Sequence, residues 1–99
     1  MDFSIPDEYR DLLDSFRAFL DREVRPVEDR YRARLQDDEW DEEMREAGLA
    51  LRRRSAELGF YGAHMPEEVG GWGLSTIATT LLVEEAAKTG LRFSSYVLG

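Results

Sequence analysis

Apolar residues recur at steps of three and four along most of this chain, and that period constrains its fold class before anything else does. From Ser4 to Arg25 they fall at Tyr9, Leu12, Leu13, Phe16, Phe19, Leu20 and Val24, the stripe of an amphipathic helix. Ser4 is placed to cap that helix with Asp7 as the return carboxylate, and Pro6, Asp7 and Glu8 suit a first turn. Pro26 lacks an amide donor and disfavours helical geometry at Arg25, so a break or kink is expected there. A second helical piece then opens at Pro26, with Val27, Tyr31 and Leu35 at spacing four.

A third helix is predicted from about Asp38 to Leu58, with Trp40, Met44, Ala47, Leu51 and Leu58 on one face. Asp37, Asp38, Glu39 and Asp41 crowd its start, Arg52, Arg53 and Arg54 lie towards its end, and Gly59 is the C-cap. Gly48, in the middle, costs roughly 1 kcal/mol against Ala and points to a close crossing or a local irregularity. Gly59 to Leu74 then holds five Gly and one Pro in sixteen positions, too many for regular structure. Phe60, Tyr61, Met65, Val69, Trp72 and Leu74 make it a long ordered loop rather than a solvated linker. Ser75 caps a last helix, Thr76 to Thr89, with Ile77, Ala78, Leu81, Leu82 and Ala86 on one side and Gly90 as its stop. Beyond it, Phe93 to Leu98 begins a further apolar element. The expectation is one all-α domain over residues 1–99, cut short at its C-terminal end.

Composition narrows the chemistry. With no Cys there is no disulfide framework, thiolate metal site or cysteine nucleophile, and one His cannot furnish a His-rich metal set. Residues 1–50 carry 16 acids and 8 bases and residues 51–99 carry 5 of each, so the whole net charge of −8 lies in the first half. That balance argues against a nucleic-acid binder, and no apolar run approaches the roughly 20 residues of a membrane span. The N-terminus lacks a basic segment followed by an apolar one, so a cytoplasmic location is expected.

Individual motifs point away from catalysis. Gly70-Gly71-Trp72-Gly73 lacks the Lys-Ser/Thr of a phosphate loop, and Thr76 stands where a dinucleotide fingerprint needs Gly or Ala. His64 has no Ser or Cys at a recognised spacing and reads as a hydrogen-bonded loop histidine. Asp37, Asp38, Glu39 and Asp41 lack the glycine and terminal glutamate of a calcium loop. Glu85, four after Leu81 and seven after Ala78, sits at the edge of an apolar face and calls for an ion pair with an Arg of a neighbouring helix.

Pro66-Glu67-Glu68-Val69-Gly70-Gly71-Trp72-Gly73-Leu74-Ser75, followed nine residues later by Glu84-Glu85, resembles the N-terminal domain of the acyl-CoA dehydrogenase family. Phe16 to Leu20 through Glu23-Val24-Arg25-Pro26 is similar to that family's opening helix, and Ala56 to Gly62 to the turn before its loop. Trp72 is the one departure, where an aliphatic residue is more usual.

The resemblance implies an orthogonal helical bundle that forms one part of a three-domain FAD enzyme, usually a homotetramer. Such enzymes dehydrogenate acyl-CoA thioesters at the α,β position and pass electrons to an electron-transferring flavoprotein. The catalytic base and most of the flavin site belong to other segments, so no catalytic residue is assigned here and the segment alone is expected to be inactive. Counted on from the double Glu, Ser94, Ser95 and Leu98 face the acyl chain. The alternative is a stand-alone, non-enzymatic helical module that pairs with another subunit.

Overall fold

In a computed structural model of the chain, residues 7–62 and 76–98 are described, except for the Glu8 side chain. Among them every regular element is helical: α1 (Asp7–Phe19), a π-helical turn (Leu20–Val24), α2 (Arg25–Arg30), α3 (Arg32–Gln36), α4 (Glu42–Leu58), α5 (Thr76–Thr89) and a 3-10 helix (Arg92–Tyr96). The Ser4 and Ser75 caps, His64 and the greater part of the glycine-rich loop lie outside the described residues.

The first stripe buries Leu13, Phe16, Phe19, Leu20 and Val24. The chain stays helical through Arg25 (φ −58°, ψ −42°) rather than breaking before Pro26. Instead the turn ahead of the proline widens, and the Arg25 amide donates to the Leu20 carbonyl five residues back. Pro26 can neither donate to the carbonyl four residues behind it nor tolerate that carbonyl close by, and one wide turn relieves both conflicts.

α4 begins later than its apolar stripe suggests. Asp41 is extended (φ −109°, ψ 178°) and its carboxylate accepts from the Met44 amide at 2.9 Å, making it the N-cap. Trp40 therefore precedes the helix, yet its ring still packs 5.0 Å from that of Phe93. The other end follows expectation, with Gly59 left-handed at φ 91°.

Two aromatic clusters fill the core. Phe60 meets Phe16 edge-on at 5.0 Å and stacks on Phe19 at 5.7 Å, joining the end of α4 to α1. Phe93 meets Tyr31 at 5.9 Å and Tyr96 at 6.1 Å, and Trp40 lies 6.2 Å from Tyr96, which draws the 3-10 helix against α2, α3 and the start of α4. The close crossing expected at Gly48 is this contact: a Cβ there would lie 2.4 Å from the Tyr96 ring.

α5 packs on α1, burying Ala78, Leu82 and Ala86 among its residues, and Gly90 ends it at φ 68°. Ile77, expected on the packed side, is instead 64% exposed, and Val83 is 52% exposed. This helix is apolar on two faces, so the three-and-four spacing merges a packed stripe with an open one.

Candidate functional site

The 3-10 helix Arg92–Tyr96 is anchored at both ends by side chains from other elements. At its start, the Glu28 carboxylate of α2 accepts from the Arg92 amide through Oε2 at 2.9 Å and from the Phe93 amide through Oε1 at 3.0 Å. The Arg92 guanidinium donates to the Leu35 carbonyl at 2.8 Å and to Asp38 at 2.6 Å, closing the end of α3. At the far end, Arg52 of α4 donates to the Tyr96 carbonyl at 3.2 Å, and the buried Ser55 hydroxyl to the Val97 carbonyl at 2.6 Å. An anion on the orphan amides and donors on the orphan carbonyls complement the dipole of a helix too short to hold itself.

This anchoring sets one wall of a groove of about 300 Å³. Val83, Ala86 and Ala87 of α5 form one side, and Ser94, Ser95 and Leu98 the other. Ser94 Oγ donates to the Leu91 carbonyl at 2.6 Å, and Ser95 Oγ to the Arg92 carbonyl at 3.1 Å. Both hydroxyl protons are thus turned back onto their own backbone, and the groove presents methyls, methylenes and hydroxyl oxygens. Among the described residues none that lines it is titratable. Such a lining suits an apolar chain.

The three residues singled out by counting on from the double Glu come together here. What that reading missed is the opposite wall: Val83, Ala86 and Ala87 carry no signal beyond small size and a helical period. A larger concavity of about 610 Å³ runs along α1 to the end of α4, over Leu12, Phe19, Leu58 and Phe60. It contains none of Ser94, Ser95 and Leu98.

The expected partner of Glu85 is Arg17 of α1, which donates through Nε at 2.8 Å and Nη2 at 3.2 Å. The Arg17 hydrogen bond holds the Glu85 carboxyl below the usual carboxylate range against the opposing effect of burial, with Lys88 assisting at 3.9 Å. This carboxylate is an ionised structural partner and not a proton acceptor in waiting. Among the described residues no group of acids and histidines is arranged to hold a metal ion, and no helix is long and apolar enough to cross a membrane.

Residues 6–99 match the family model described as "Acyl-CoA dehydrogenase, N-terminal domain". Benzylmalonyl-CoA dehydrogenase of Aromatoleum aromaticum is 36% identical over 97 residues, covering 98% of this chain and 23% of the relative. (R)-benzylsuccinyl-CoA dehydrogenase of Thauera aromatica is 32% identical, covering 97% and 24% respectively. Glutaryl-CoA dehydrogenase of Desulfococcus multivorans is 31% identical, covering 89% and 21%. The chain thus spans about a quarter of the length of these relatives. No solved structure gives a significant match.

Proposed function

Because the chain belongs to the acyl-CoA dehydrogenase family as its N-terminal domain, we propose that it is the substrate-side domain of a flavin-dependent enzyme that dehydrogenates an acyl-CoA thioester. Its own contribution is one wall of the acyl pocket, formed by Ser94, Ser95 and Leu98 against α5. The observation that supports this most is the makeup of that groove: apolar, lined among the described residues by no titratable group, and bounded by hydroxyls whose protons are already committed.

The described lining of the groove does not fit a flavin: it offers no cation for a pyrophosphate, and the Ser94 and Ser95 hydroxyl protons are already committed. We therefore assign FAD and the base that takes the α-proton to other segments of the dehydrogenase. In this reading the chain alone neither holds flavin nor turns over substrate, and the assembled enzyme is a cytoplasmic homotetramer that passes electrons to an electron-transferring flavoprotein.

Octanoyl-CoA titrated into the isotopically labelled chain is expected to shift the amide resonances of Ser94, Ser95 and Leu98. A chain that purifies yellow and dehydrogenates octanoyl-CoA by itself would falsify this division of labour. The second reading, a non-enzymatic pairing module, draws on the exposed Ile77 and Val83 of α5. A stable complex with a dehydrogenase lacking this domain, seen by size-exclusion without any gain of activity, favours that module.

A further inference from the structure

Glu28 is the one buried carboxylate among the described residues, with 8% of its surface exposed, and nothing in the proposed chemistry uses it. It neither pairs with an arginine nor faces the groove. Its two oxygens each take one amide at the start of the 3-10 helix, 64 and 65 residues further along the chain. The geometry points to Glu28 as a positioning residue: it sets where the Arg92–Tyr96 turn begins, and through that turn where Ser94, Ser95 and Leu98 stand relative to Val83, Ala86 and Ala87. As a determinant of acyl-chain selectivity this rests on the acyl-groove reading above; as a hold on the turn it does not.

The residue type follows from the geometry. Two N–H groups converge on one side chain, and a carboxylate offers each of them an ionised oxygen. A glutamine satisfies only one, because its amide nitrogen would confront the second donor. The other restraints on the turn do not replace Glu28. Arg52 and Ser55 hold its carbonyl end, and the Arg92 guanidinium acts outward, on Leu35 and Asp38. Without the carboxylate the Arg92 and Phe93 amides, the latter buried, must find new acceptors. The turn then shifts, and a groove of about 300 Å³ is small enough for its depth to change with it.

The test is amide hydrogen exchange and octanoyl-CoA or butanoyl-CoA titration in the full chain, comparing wild type with E28Q and E28A. Exchange at Arg92 and Phe93 is expected to quicken about tenfold in E28Q and about a hundredfold in E28A, with Met44 and Leu51 unchanged. In E28Q the preference of the Ser94, Ser95 and Leu98 amides for octanoyl-CoA over butanoyl-CoA is expected to be lost. Equal acceleration across α4 and the 3-10 helix reduces Glu28 to a general stabiliser and overturns the proposal. Unchanged exchange at Arg92 and Phe93 overturns it as well. If E28A does not fold, E28Q decides alone, since it keeps one of the two bonds. If octanoyl-CoA leaves the wild-type groove unmoved, the acyl reading falls, and the exchange arm still decides whether Glu28 holds the turn.

Discussion

Gly48 lies directly beneath the ring of Tyr96: a Cβ built on the glycine would stand 2.4 Å from Cε2, 2.5 Å from Cζ and 2.6 Å from Cδ2. The ring cannot readily yield, because Trp40 and Phe93 flank it and the Tyr96 carbonyl is bonded to Arg52. G48A is therefore expected to destabilise the domain by up to about 2 kcal/mol, the overpacking cost of roughly 1–3 kcal/mol less the roughly 1 kcal/mol by which Ala is the better helix former. In a Y96A background the same substitution is expected to be neutral or stabilising. Additive effects of G48A and Y96A in urea unfolding would show that the contact is not the reason for the glycine.

Ser55 is fully buried in α4, and its hydroxyl donates to the Val97 carbonyl at 2.6 Å. S55A leaves that carbonyl in the core without its donor, at an expected cost of about 1–3 kcal/mol. The urea midpoint should fall with an unchanged denaturant slope. A midpoint equal to wild type would mean that water reaches Val97.

How much of this was legible beforehand follows from which interactions are local. The stripe from Leu13 to Val24 and the stops at Gly59 and Gly90 were readable because period and cap geometry are set within a few residues. The need of Glu85 for an arginine was readable from its place beside an apolar face. That the arginine is Arg17, 68 residues away, was not. Glu28 gave no signal at all: it sits in the run Arg25-Pro26-Val27-Glu28-Asp29-Arg30, which reads as a solvated face, and its partners are backbone amides that no side-chain pattern encodes. Likewise Pro26 announced a disturbance, but whether a helix breaks or widens depends on what packs around it, and Leu20 and Val24 are both buried in the core.

The Arg17–Glu85 pair gives the domain a defined response to acid. Glu85 has its folded carboxyl pulled down chiefly by the Arg17 hydrogen bond. The native state therefore binds fewer protons than the unfolded chain around the ordinary glutamate value of about 4.3. The stabilisation is fully present above that value and is lost as pH falls through the lower folded one. Urea unfolding across this range should show wild type more stable than E85Q at neutral pH, with the gap closing below about pH 4.3. A gap that stays constant into acid would mean that Glu85 is not ionised in the native state.

α5 carries apolar residues on two sides, and only one of them is covered: Ala78, Leu82 and Ala86 are buried, while Ile77 and Val83 are left 64% and 52% exposed. Apolar side chains open to solvent suit contact with a further segment or subunit, which under the proposed function is another part of the dehydrogenase; Val83 also borders the groove beside Ser94 and Ser95. Because neither side chain contributes to the core of this chain, I77Q and V83Q should each change its stability by no more than about 0.5 kcal/mol. The same substitutions should weaken concentration-dependent self-association in sedimentation velocity, and should weaken binding to a dehydrogenase that lacks this domain. If either substitution instead lowered stability by about 2 kcal/mol, as a core truncation does, that side chain would have to be packed within the chain itself, and the face would not be free to receive a partner.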